Sequence, residues 1–187
     1  EQKLKIAFLV VHPLEKSSLR NQIIEESQLP EERIFDYTTL GEHPEKTLYK
    51  FNASIALTCW SSYIFKNNLI NIFPLGIFNF HNSLLPAHSG SGANIWALIH
   101  QYGSGVTLHR VIEAVDQGPI IAQEEVKPSW SDDGFSLWER QIAAMVNLFD
   151  HHFGSLLTNQ FNYCSPKYER TFISKENRDR LKKIDLD

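Results

Sequence analysis

Short runs of strand-forming residues, each closed by polar or turn-forming residues, limit the fold more than any other feature of this chain. They are LKIAFLVV (4–11), ASIALTC (53–59), IFNFH (77–81), GVTLHRV (105–111) and PIIAQEEV (119–126). The first two are largely apolar, the pattern of strands covered on both faces. Residues 33–37 supply a shorter candidate strand. Helical patterns fill the intervals. Residues 17–27 carry Leu19, Ile23 and Ile24 on one face behind Ser17 as N-cap, and residues 43–50, 62–70 and 93–100 follow, the last behind Ser91. The longest spans 135–153, where Trp138, Ile142, Met145, Val146, Phe149 and Phe153 recur at helical spacing behind Asp132 and Asp133. Strands alternating with helices predict a doubly wound α/β sheet with helices on both faces.

The 187 residues suit one compact body, expected over 1–155, with a charged arm over 156–187. A net charge of −4 without clustered Lys and Arg argues against a nucleic-acid partner. No stretch approaches the roughly 20 apolar residues of a membrane span, and no secretory leader is visible. The two cysteines, Cys59 and Cys164, form no CxxC pair, which fits a reducing compartment and makes the cytoplasm the expected location. Cys59 reads as a small buried hydrophobe.

Chemistry concentrates between Phe78 and Gly118. Residues two apart on a strand share a face, so Asn79 and His81 project together while Phe80 turns to the core. Ligands of open α/β sheets bind beyond the carboxyl ends of the strands, where this pair falls. Thr107 and His109 alternate with Val106 and Leu108 in the same way. Asp116 lies in a loop with Gly118 two residues on, a pattern that lets backbone approach a ligand closely and lets the carboxylate reach an imidazole. Taken singly, each of these residues is an ordinary polar group or turn. His88, His100 and His109 match no zinc spacing, so no metal is expected. His109 is expected to hydrogen-bond to the site's framework, and His151 and His152 to lie at the surface.

FNFHNSLLPAHSG followed by GVTLHRVIEAVDQGPIIAQ resembles the folate-dependent formyltransferase family. The family pattern is Asn-x-His-x-Ser-x-Leu-Pro, then Gly-x-Thr/Ser-x-His, then an Asp followed by x-Gly, and all three pieces occur here in order. The resemblance implies a Rossmann-like, mostly parallel sheet and a catalytic set of Asn79, His81 and Asp116. It implies a cis bond at Leu85-Pro86. N10-formyltetrahydrofolate is the implied formyl donor, in a slot formed by Cys59, Trp60, Ser61, Tyr63 and Ile64 together with Val115, Gln117 and Gly118. Ser83, Leu84, Leu85, Pro86, Gly90, Asn94 and Trp96 are the implied substrate-binding residues, with Thr107 and His109 as framework.

These residue types suit formyl transfer. The reaction develops an oxyanion on a tetrahedral carbon, and losing one donor to such an oxygen costs about 100- to 1000-fold in rate. Asn79 supplies an amide N–H, His81 a transferable proton, and Asp116 either a charge to hold that imidazole or a seat for a water that shuttles protons. Two departures from the family pattern stand out, and only the second bears on the acceptor. Asn82 stands where family members often have Pro. The first turn, His12 to Ser17, lacks the glycines of a phosphate-holding nest, which counts against glycinamide ribonucleotide as acceptor. The run Gly90-x-Gly92-x-Asn94-x-Trp96-Ala97 resembles the sugar-nucleotide members, whose acceptor is the primary amine of a nucleotide-linked amino sugar. The alternatives are a glycinamide ribonucleotide formyltransferase, a formyltetrahydrofolate deformylase and a non-catalytic folate-binding module. The IDLD tail resembles the point where longer relatives enter an accessory segment, leaving room for a homodimer.

Overall fold

The computed structural model describes residues 4–17 and 19–181. In chain order the elements are β1 (Leu9–Val11), α1 (Arg20–Ser27), β2 (Ile34–Asp36), α2 (Pro44–Leu48), β3 (Ile55–Cys59), α3 (Asn67–Ile70), β4 (Gly76–His81), β5 (Ser89–Gly90), α4 (Ala93–His100), β6 (Gly105–Arg110), β7 (Ile120–Glu125), α5 (Gly134–Leu157), β8 (Phe172–Ile173) and α6 (Lys175–Leu181). The central sheet has the order β3-β4-β6-β7. β3 runs parallel to β4, whereas β6 and β7 are antiparallel to their neighbours. Two further parallel pairs, β1 with β2 and β5 with β8, flank it. The architecture is the expected Rossmann-like α/β type, with an antiparallel half added by β6 and β7.

Alternation along β4 explains how the sheet is covered on both faces. Phe78 and Phe80 join Val106, Leu108 and Ile121 in a core against Ala144, Met145 and Leu148 of α5. Ile77 turns the other way, into a second core with Leu48, Leu69, Phe73 and Val111. Fully burying such side chains stabilises by about 1.5–3 kcal/mol each. Phe8, Phe35 and Phe51 pack tilted or edge-on at the margin of the second core, with centroids 5.4–6.5 Å apart.

Several elements differ from the sequence reading. The run 4–11 is strand only from Leu9, because β1 pairs with β2 alone over a three-residue register, and Leu4 and Ile6 are exposed. α1 begins at Arg20 after Leu19 and buries no residue: Leu19 and Ile23 of the expected apolar face are exposed and Ile24 is only half-buried. Ser18 of that expected helix lies outside the described residues. Within 62–70 only Asn67–Ile70 is helical. α4 is preceded by Gly92 in the left-handed region, not capped by Ser91. α5 is capped by a capping box in which Asp133 accepts from the Ser136 N–H and Ser136 reaches back to Asp133. Its buried stripe is Leu137, Gln141, Ala144, Met145, Leu148 and Leu156, rotated from the expected one, and Val146 is exposed. The rotation follows from Gln141, whose polarity hid its place in the stripe. Cys59 is exposed, because β3 ends there and the chain turns outward.

α5 crosses the expected boundary at 155, and the chain then returns over the body. Phe161 packs edge-on against Phe78 at 5.6 Å, Cys164 N–H donates to the Ile120 carbonyl, and β8 pairs with β5. The IDLD tail lies outside the described residues. No helix of the described residues is long and apolar enough to cross a membrane.

Candidate active site

The face of β4 that begins with buried Ile77 continues with Asn79 and His81, so it turns from apolar to polar at the carboxyl end of the strand. β6 opposes it antiparallel, and the register sets Asn79 beside His109 and His81 beside Thr107. Directly opposed side chains on one face of such a pair touch. Accordingly Asn79 Nδ2 lies 3.0 Å from His109 Nε2, while His109 Nδ1 lies 3.2 Å from the Arg110 carbonyl. A carbonyl can only accept, so Nδ1 carries the proton and Nε2 accepts from the amide. Burial, reinforced by the charge of His81, lowers the His109 pKa to about 4 against the pull of Asp116, which keeps the ring neutral in this pattern. One amide hydrogen of Asn79 is thereby committed and the second remains available.

His81 stands between two partners. Its Nε2–H donates to the His88 carbonyl at 3.3 Å, and its Nδ1 faces Asp116 Oδ1 at 3.7 Å, an ion pair whenever the ring is protonated. The other carboxylate oxygen of Asp116 accepts the Gly90 N–H at 2.7 Å. Asp116 has φ 52°, in the left-handed region that Asp and Asn tolerate better than most residues. The same carboxylate lies 4.0 Å from His109 Nε2. A third imidazole, His88, is fully buried and 3.1 Å from His100. Burial, then the charges of His100 and His81, lowers its pKa to about 4.

A cleft opens on this cluster. Asn79, His109 and Asp116 form its polar end, and Ser61, Tyr63, Ile64 and Val115 contribute to its walls. Phe65, Val111, Ile112 and Glu113 also line it and were not anticipated. Their signal was weak: 62–66 looked helical but is irregular, and Ile112 and Glu113 belong to the loop carrying Asp116. Apolar walls leading to a polar end suit a flat, partly polar ring system.

Other expected contacts fall elsewhere. Cys59, Trp60, Gln117 and Gly118 are absent from the cleft wall. Trp60 turns to Trp138, with ring centroids 6.0 Å apart. Gly118 is required by a different backbone: a Cβ there would collide with the Arg110 carbonyl oxygen. Ser83, Leu84 and Leu85, expected as substrate contacts, are buried. Ser83 Oγ donates to the Ala87 carbonyl at 2.6 Å, fixing the loop that holds the cis Leu85-Pro86 bond. Pro86 is half-buried and its carbonyl accepts from Thr171 N. Gly90 serves Asp116, and Asn94 donates to the Gly134 carbonyl, tying α4 to α5. Trp96 packs against His100 at 5.2 Å, away from the cleft wall.

Thr107 acts as framework through its hydroxyl. It donates to the Ser83 carbonyl at 2.6 Å and accepts from Leu85 N and Gln123 Nε2, using its full capacity. Gln123 and the fully buried Gln141, which reaches the carbonyls of Asn82 and Gly105, escaped the sequence reading. A glutamine in a strand or helix ordinarily faces solvent, and only the fold shows which carbonyls these two meet.

Comparison with known proteins points the same way. Bifunctional polymyxin resistance protein ArnA of Wigglesworthia glossinidia brevipalpis is 29% identical over 137 residues, 72% of this chain and 21% of that protein. GDP-perosamine N-formyltransferase of Brucella melitensis is 31% identical over 122 residues, 62% of this chain and 47% of that protein. The chain thus spans less than half the length of these two relatives. In fold it is similar to the formyltransferase PseJ from Anoxybacillus kamchatkensis, crystallised with UDP-4,6-dideoxy-4-formamido-L-AltNAc and tetrahydrofolate. The TM-score is 0.73 at 19% identity, covering 96% of this chain and 92% of that one. The sequence family described as Formyl transferase matches residues 15–145, well over half of the chain and inclusive of Asn79, His81 and Asp116, and the chain belongs to that family.

Proposed function

We propose that this chain transfers a formyl group from N10-formyltetrahydrofolate to the primary amine of a nucleotide-linked amino sugar. The observation that carries the reading is that Asn79 and Asp116 reach the polar end of a half-apolar cleft, while His81, buried and not itself on the cleft wall, faces the Asp116 carboxylate at 3.7 Å. The sequence relatives support the acceptor class, since one is a GDP-perosamine N-formyltransferase.

The reduced folate supplies the formyl carbon, and the apolar walls at Ile64, Val111 and Val115 fit its flat ring. Asn79 offers its uncommitted N–H to the oxygen that gains charge during transfer, preorganised by the bond from its other hydrogen to His109. His81 takes a proton from the incoming amine or returns one to the departing nitrogen, and Asp116 stabilises the imidazolium. Two free cysteines and a folate-dependent reaction support a cytoplasmic location.

The test is an assay of the purified protein with N10-formyltetrahydrofolate and a panel of nucleotide-linked amino sugars beside glycinamide ribonucleotide. Formylation of a sugar nucleotide is the expected result. Formylation of glycinamide ribonucleotide alone overturns the acceptor class. Formate release without any amine makes the chain a deformylase, and folate binding without turnover makes it a binding module.

A further inference from the structure

One tripeptide grips both partners of the His81–Asp116 pair from behind. The His88 carbonyl accepts His81 Nε2–H at 3.3 Å, and the Gly90 N–H donates to Asp116 Oδ2 at 2.7 Å. The spacing of imidazole and carboxylate is therefore set by residues 88–90, which neither belong to β4 nor to the Asp116 loop. What fixes those residues is remote in sequence. Thr171 Oγ1 accepts the His88 N–H at 2.8 Å, and the Thr171 carbonyl accepts both Ser89 N–H and Ser89 Oγ–H at 2.9 Å. Thr171 N–H donates to the Pro86 carbonyl, and the Ile173 carbonyl accepts from Ser91 N–H. β8 lies in parallel register with β5, and Ile173 is buried. Gly90 has φ 96°, and a Cβ on it would collide with the Ile173 carbonyl oxygen, so the two backbones meet with no room for a side chain.

We infer that residues 171–173 form a strap that positions the His81–Asp116 pair through residues 88–90, with the Thr171 hydroxyl as a positioning residue. Thr171 acts on the pair through the tripeptide. The inference rests on the proposed catalytic role of that pair.

The test compares Thr171→Val with Thr171→Ser. Valine keeps the shape and the main-chain bonds but leaves the His88 N–H without its acceptor, whereas serine restores the hydroxyl. Losing one such bond predicts a fall of about tenfold in kcat for Thr171→Val. KM for donor and acceptor should stay within about twofold, the melting temperature should fall by no more than the few degrees that one lost buried hydrogen bond costs, and Thr171→Ser should recover the rate. Unchanged kcat in the valine variant overturns the strap, and so does a serine variant as slow as the valine one. A second measurement needs no turnover. In ¹⁵N-histidine spectra, with His81 identified by its loss in His81→Gln, the His81 Nε2 signal should move in Thr171→Val and return in Thr171→Ser. A stationary signal overturns the strap. A wild-type protein that transfers no formyl group, yet shows the moving signal, refutes the catalytic reading and keeps the positioning one.

Discussion

The two faces of the β4–β6 pair divide the work of the molecule. One face sends Phe78, Phe80, Val106 and Leu108 into the core beneath α5. The other carries Asn79 against His109 and His81 against Thr107. The same backbone bonds hold both, so rigidity acquired by packing on one side is delivered to polar groups on the other. Alternate residues of one strand thus serve folding and chemistry, and substitutions should separate them.

The largest expected effect is on the polar face. His81→Gln should lower kcat for formyl transfer about 1000-fold, and Asp116→Asn about 100-fold, with melting temperatures close to the parent. Asparagine keeps an acceptor for the Gly90 N–H and tolerates the left-handed backbone, so this variant isolates the charge. Parallel loss of stability and rate in steady-state and melting measurements would erase the distinction between the faces. Next comes the apolar face. Phe78→Ala should destabilise by about 3–5 kcal/mol in denaturant titration. Ile23→Ala on α1, where the side chain is exposed, should change stability by less than about 0.5 kcal/mol.

A separate test is a pH dependence of the polar side. His88 and His109 titrate near 6.5 when unfolded and at about 4 when folded. The unfolded chain therefore binds more protons between those values, so the stability from keeping both rings neutral is present above about pH 6.5 and lost as pH falls toward 4. The melting temperature should fall over that window, and His88→Asn should shallow the slope. A slope that His88→Asn leaves unchanged would remove His88 from the account.

Legibility in the sequence followed the number of partners each segment has. β4 and β6 are paired on both sides and buried, so alternation alone located them within a residue of their ends. β1 has one neighbour, and its apolar run overstated the strand by residues 4–8. The catalytic candidates were legible because Asn79, His81, Thr107 and His109 break an apolar alternation at the end of a strand. Ser83, Leu84 and Leu85, expected as substrate contacts, are buried, and nothing in the sequence signalled it, since a motif records that residues matter without recording whether they face solvent or a neighbouring carbonyl. Thr171, Gln123 and Gln141 were invisible for a related reason: each meets its partners across a long interval of chain, and a polar residue gives no local sign of what lies opposite.

The meeting of Gly118 with the Arg110 carbonyl gives the loop between them a pinched neck. Arg110 N–H also bonds the Pro119 carbonyl at 3.0 Å, so the segment leaves the sheet and re-enters it at nearly one point. Residues 111–117 are thereby a lobe on a stalk. It carries Asp116 to the cleft, and Val111 at its base stays in the second core and donates its N–H to the Ile77 carbonyl, so the carboxylate is anchored to the sheet through that neck.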